Sequence, residues 1–270
     1  LVQRLQALFW QPVQQALGAL PLSMLHVCSH GLLHQLPLRA LPELGRQKGS
    51  VPNLCLVQWP GLPYLRQADL KAPAQSSAPW QVGHDASWDG EPIPMTAVEA
   101  ALQRALLRRN HPEVATLQEA FALPAHAQGL VASSHGTSPK AWNTALSLGP
   151  KLLEVGEMVR RGAAPQVVLA LQCNAGETAD DGAHNAFGLS AAFLLAGAGL
   201  VVGSSKAVPD VLMPFYSTLV LWNMQSMSAH EAALRAADNL VQMAFPEGYR
   251  EWLQQELPQA LATLLPGGEE

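Results

Sequence analysis

Two residues able to do chemistry close two apolar runs in the middle of the chain. Gly129-Leu-Val-Ala-Ser-Ser ends at His135-Gly136, and Gln166-Val-Val-Leu-Ala-Leu-Gln ends at Cys173-Asn-Ala-Gly176. A thiol attacks well only as the thiolate, and a neighbouring imidazole can take its proton. The same imidazole can return that proton to a leaving amine. For the two side chains to meet, the runs that carry them must lie side by side. Both runs are short, partly β-branched and bounded by Gly or Pro, which predicts buried parallel strands. Open α/β sheets gather functional groups at the carboxyl ends of such strands.

A second copy of the pattern competes. Ser23 to Cys28 reads as a strand, and Ser29-His30-Gly31 repeats the string Ser134-His135-Gly136. A lone cysteine after an apolar strand is more often a small buried hydrophobe than a nucleophile. Spacing alone barely separates Cys28 from Cys173. Cys55 falls inside a third apolar run, Leu54 to Trp59, and reads as core.

Composition narrows the classes. The 270 residues are 49% apolar, enough for one large α/β core. A net charge of −5 leaves no electrostatic footprint for nucleic acid or an anionic membrane. Three cysteines, with no C-x-x-C pair, form neither a disulfide framework nor a metal spacing, which fits a reducing, cytoplasmic setting. No apolar stretch is long enough to span a bilayer, and the start lacks a secretory pattern. The chain begins at Leu1 rather than Met and is expected to be a domain or processed product with modules upstream. Ala196-Gly-Ala-Gly199 lacks G-x-G-x-x-G and precedes a strand, Glu177, Asp180 and Asp181 are too loosely spaced for a calcium loop, and no G-x-S-x-G is present. No cofactor or metal is expected.

The remaining elements must position the pair. Val2 to Leu17 has helical spacing, interrupted by Pro12. Trp80 to Gly83 is a short strand within a loop-rich stretch, 60–95. Thr96 to Arg108 is a helix with Thr96 and Glu99 as a capping box, and Thr116 with Glu119 opens another, reaching Leu123. Thr144 to Leu148 is a strand or hairpin arm, and Leu153 to Arg161 a helix stopped by Gly162. Asn174 to Asn185 is a polar loop, expected to stay mobile until activation. Phe187 to Ala196 is a helix, Leu200 to Gly203 a central strand, and three helices follow at about 211–224, 229–244 and 248–264, the middle one capped by Ser228 and Glu231. Residues 266–270 are a frayed end.

Taken in order, these segments resemble the CHAT family, a branch of the caspase-like cysteine peptidases near separases and caspases. The likeness runs through Leu8-Phe-Trp-Gln-Pro12, His30-Gly-Leu-Leu-His-Gln-Leu-Pro37, Glu91-Pro-Ile-Pro94 with Glu99, Ala115-Thr-Leu-Gln-Glu-Ala120, Phe187-Gly-Leu-Ser190, Ala196-Gly-Ala-Gly199 and 232–237. It implies one domain over 1–270, an α/β caspase-like sandwich with a central, mostly parallel sheet flanked by helices. Residues 1–95 would be its opening segment and 96–270 its catalytic core. It implies His135 and Cys173 as the catalytic dyad, with the backbone N–H groups of Gly136 and Cys173 as oxyanion donors. It implies a protein substrate, a regulatory repeat or sensor module, and a role in bacterial signalling or defence. The substrate pocket would be lined by Leu171 and Gln172 before the cysteine, and by Ser204, Ser205, Lys206 and Asp210 after the next strand. Relatives that cut after Arg or Lys often carry an acid where Leu171 stands. A basic substrate residue is therefore not expected, and Lys206 would favour an acidic one.

Overall fold

The computed structural model describes residues 4, 6–17, 24–28, 55–59, 79–85, 87–88, 91–111, 113–118, 122–123, 127–134, 145–149, 151–172, 179–180, 186–204 and 208–264. A π-helical turn at Gln6–Trp10 runs into helix α1 (Gln11–Leu17). The single helix expected over Val2 to Leu17 changes its winding beside Pro12, which has no N–H to continue regular bonding. Strands β1 (Met24–Cys28) and β2 (Cys55–Trp59) pair in parallel, Cys28 opposite Trp59. Then come β3 (Trp80–His84), a hairpin of β4 (Ser87–Trp88) and β5 (Glu91–Pro92), α2 (Pro94–Arg108), β6 (Val114–Leu117) and β7 (Gly129–Ser133). A second hairpin, β8 (Ala145–Ser147) with β9 (Leu152–Glu154), leads into α3 (Val155–Arg161) and β10 (Val167–Leu171). An antiparallel pair, β11 (Ala179–Asp180) and β12 (Ala186–Phe187), precedes α4 (Leu189–Leu195) and β13 (Leu200–Gly203). Helices α5 (Met213–Asn223), α6 (Ala229–Gln242) and α7 (Glu247–Ala262) complete the described chain.

Five of these strands form the central sheet, in the order β13-β10-β7-β3-β6, every pair parallel. Side chains alternate across it, as strand geometry requires. Trp80, Val82, Val131, Val167 and Leu169 face α2, α5, α6 and α7. Leu130, Ala132, Val168 and Ala170 face α3, α4 and the β8–β9 hairpin. The molecule is thus an α/β sandwich of the caspase-like layout, a parallel sheet with helices on both faces. Among the described residues, no helix is long and apolar enough to cross a membrane.

Several local expectations change. Val114-Ala-Thr-Leu117 is an edge strand, so Thr116 does not cap a helix. Helix α2 starts at Pro94, where a missing N–H goes unneeded, rather than at Thr96. Its first turn has no side-chain cap, so Thr96 and Glu99 form no capping box. Residues 152–154 are a hairpin arm rather than the start of α3. Residues 179–180 are a strand, not loop, and β13 lies at the sheet's edge, not its centre. The Ser228–Glu231 capping box is formed in both directions. Residues 266–270 and the rest of the polar stretch from 174 to 185 lie outside the described residues.

Close approach of two strands accounts for one glycine. A Cβ on Gly129 would collide with the Trp80 ring on the neighbouring strand. Gly129→Ala is therefore expected to cost about 1–3 kcal/mol, as overpacking does. Gly156→Ala on α3, with nothing within 4 Å, should instead stabilise by roughly 0.5 kcal/mol. Urea unfolding of the two variants checks both signs.

Candidate active site

In chain order the five strands follow the arrangement 2-1-3-4-5, with the reversal between β3 and β7. Crevices for ligands form at the carboxyl ends of strands beside such a reversal. The exits of β7 and β10, the segment after β13 and the start of α2 contribute to one cleft here. Its lining is Ile93, Met95, Thr96, Glu99, Ser134, Leu171, Gln172, Val208, Asp210 and Met213, around roughly 340 Å³ including the open mouth.

Strands β7 and β10 are direct neighbours, Ser133 opposite Leu171. One residue further on, the Ser134 hydroxyl donates to Gln172 Oε1 at 2.8 Å, and Gln172 Nε2 donates to the Ala145 carbonyl at 3.3 Å. The two strand exits are thereby clasped side by side. The next residues along each chain are His135 and Cys173. These two, with Gly136, Ser205 and Lys206, lie outside the described residues. Of the expected pocket residues, Leu171, Gln172 and Asp210 line the cleft together, while Ser204 is half-buried at the exit of β13 and does not.

The rival string behaves differently. Cys28 ends β1, whose partner β2 ends at Trp59, and neither strand belongs to the central sheet. Among the described residues, the strand beside β1 ends in Trp59 rather than in a second reactive side chain. Ser29, His30 and Gly31 are outside the described residues.

Glu99 is the residue that sequence reasoning misplaced. It was expected to complete a capping box with Thr96, and it is 2% exposed. Its Oε1 accepts from Gln103 Nε2 at 2.9 Å, and the same amide nitrogen reaches the hydroxyls of Ser133 and Ser217 at 3.1 Å each. Burial pushes the Glu99 carboxyl up to about 8, and the charge of Asp210 adds to the rise. Hydrogen bonds from Ser217, Ser133 and Gln103 oppose it. A legible signal existed: Met95, Glu99, Leu102 and Leu106 share one helical face, and Leu102 and Leu106 are core.

The β3 exit adds two more groups. His84 sits opposite Ser133, and burial, then the charge of Arg104, holds its imidazole below the usual range. Asp85 accepts from the Ser147 hydroxyl, and its own carbonyl accepts from the Thr96 hydroxyl at 2.5 Å. These contacts tie the start of α2 to the β8–β9 hairpin across the sheet edge. Among the described residues, no group of three His, Cys, Asp or Glu side chains is arranged to hold a metal ion. Compared with known proteins, the chain matches no family model and no curated protein.

Proposed function

We propose that the chain is a cysteine endopeptidase of the CHAT branch of the caspase-like fold, cutting a specific partner protein with His135 and Cys173. One observation carries this reading: the strands that lead to the two residues are adjacent and in register, and their exits are joined by Ser134 and Gln172. The imidazole of His135 takes the Cys173 proton, and the thiolate attacks the peptide carbonyl carbon. The tetrahedral oxyanion is held by the backbone N–H groups of Gly136 and Cys173. The C–N bond breaks as the imidazolium protonates the leaving amine, which leaves a thioester. Water, deprotonated by the imidazole, then cleaves the thioester to a carboxylic acid and restores the thiol. A dyad of this kind works in a reducing, cytoplasmic compartment that keeps the thiol free.

The substrate is a protein, and control comes from a repeat or sensor module, upstream or on another chain, in bacterial signalling or defence. A peptidyl acyloxymethyl ketone should alkylate the protein at one position, Cys173, as read by mass spectrometry of tryptic peptides. Alkylation should disappear in His135→Ala, where no base forms the thiolate. Labelling spread evenly over Cys28, Cys55 and Cys173 would show no activated thiol and would leave a peptide-binding module as the better account.

A further inference from the structure

The cleft has mixed walls. Met95, Leu171, Val208 and Met213 give it apolar sides, the buried Glu99 carboxyl lies at its inner end, and the exposed Asp210 stands at its mouth. Among the described residues, the ion pairs involve Glu157 with Arg160 and Arg161, and none reaches Glu99 or Asp210. An ionised carboxyl taken out of water without a cation is costly, and Glu99 meets that cost by keeping its proton. A ligand that brings a positive charge on a long apolar stem would answer both features of the cleft.

We propose that this cleft takes the substrate side chain on the acyl side of the scissile bond, and that this side chain is arginine or lysine. The inference rests on the peptidase reading of the same site. The methylene stem lies along the methionine, leucine and valine walls, and the cationic head meets Glu99 and Asp210. An acidic side chain would add a third carboxylate beside these two. In the empty cleft Glu99 holds its proton at neutral pH, partly because of Asp210. A cation between the two carboxyls removes that reason, so binding releases the proton. The proposal departs from the expectation drawn from Leu171: its acids come from α2 and from the turn before α5.

The test separates the pocket from the chemistry. Peptides ending in a free C-terminal Arg, norleucine or Asp are titrated calorimetrically into the full chain carrying Cys173→Ala. Internally quenched peptides with the same three residues before the scissile bond are given to the wild type. The Arg peptide should bind about tenfold or more tightly than the norleucine peptide, as a charge-assisted contact allows. Glu99→Gln and Asp210→Asn should each remove most of that preference, read as the ratio of Arg to norleucine binding within each variant. Equal binding of all three peptides, tightest binding of Asp, or an Arg preference that survives both substitutions would overturn the proposal. Should Glu99→Gln fold poorly, Asp210→Asn, an exposed change, decides. Arg-selective binding without cleavage of any peptide sustains the pocket and sinks the peptidase reading. Cleavage that favours norleucine or Asp sinks the pocket and sustains the peptidase.

Discussion

Cys173→Ala should lower kcat/KM on a cleavable peptide to background, a loss on the order of 10³-fold or more, because the thioester can no longer form. His135→Ala should lose nearly as much. The double variant should be no slower than the worse single one, since residues that act as a unit are not additive. Melting temperature should stay near the wild-type value in all three. Strand β10 ends at Leu171, and its last core residues on the two faces of the sheet are Leu171 and Ala170. The opposite outcome has a clear meaning. If Cys28→Ala or His30→Ala abolished cleavage and the 135/173 variants did not, the chemistry would belong to the first copy of the string. The architecture argues against that, because β1 and β2 pair outside the central sheet and Cys28 lies opposite Trp59.

What the residues revealed in advance depended on how local the signal was. Strands β7, β10 and β13 were legible because each is a short apolar run between Gly or Pro, and β7 and β10 are buried on both faces. Helices α6 and α4 were legible for equally local reasons, a reciprocal cap at Ser228 and a left-handed stop at Gly197, where φ is +106°. The reversal of strand order between β3 and β7 was not legible. It is a property of pairing between distant segments, and β3 carried only five residues of signal inside a loop-rich stretch. Residues 114–117 were misread for a related reason: Thr116-x-x-Glu119 matches a helix start, but β-branched Val114 and Thr116 alternate along a strand that pairs with β3. Glu99 shows the same conflict on one helix. Its type suggested a solvated cap, and its spacing suggested the buried face. Packing against α5 and the end of β7 decided for the face, because Ser133, Ser217 and Gln103 supply the polar contacts that make the burial tolerable.

That burial has a consequence for stability. The Glu99 carboxyl titrates at its ordinary 4.5 when unfolded and near 8 when folded, so the native state binds its proton more tightly. Its contribution is fully present below about pH 4.5 and is lost as pH rises through 8. Between those limits the loss approaches about 1.4 kcal/mol per pH unit, a few kcal/mol in all. His84 and His111 act in the other sense. Burial lowers both imidazoles, so their contribution is present above about 6.5 and is lost as pH falls. Raw stability against pH therefore mixes opposing slopes, and the difference between wild type and Glu99→Gln isolates the carboxyl. Glutamine keeps the shape and the polar contacts but does not titrate. Urea unfolding at pH 5, 6.5 and 8 should show the variant near or below wild type at pH 5, and more stable by a few kcal/mol at pH 8. Asp210→Asn should shrink that gap, since it removes the charge that helps hold the proton on Glu99. A wild-type-to-variant difference that stayed constant from pH 5 to 8 would mean that Glu99 is solvated in the folded protein. The inner end of the cleft would then be water rather than a carboxyl awaiting a cation.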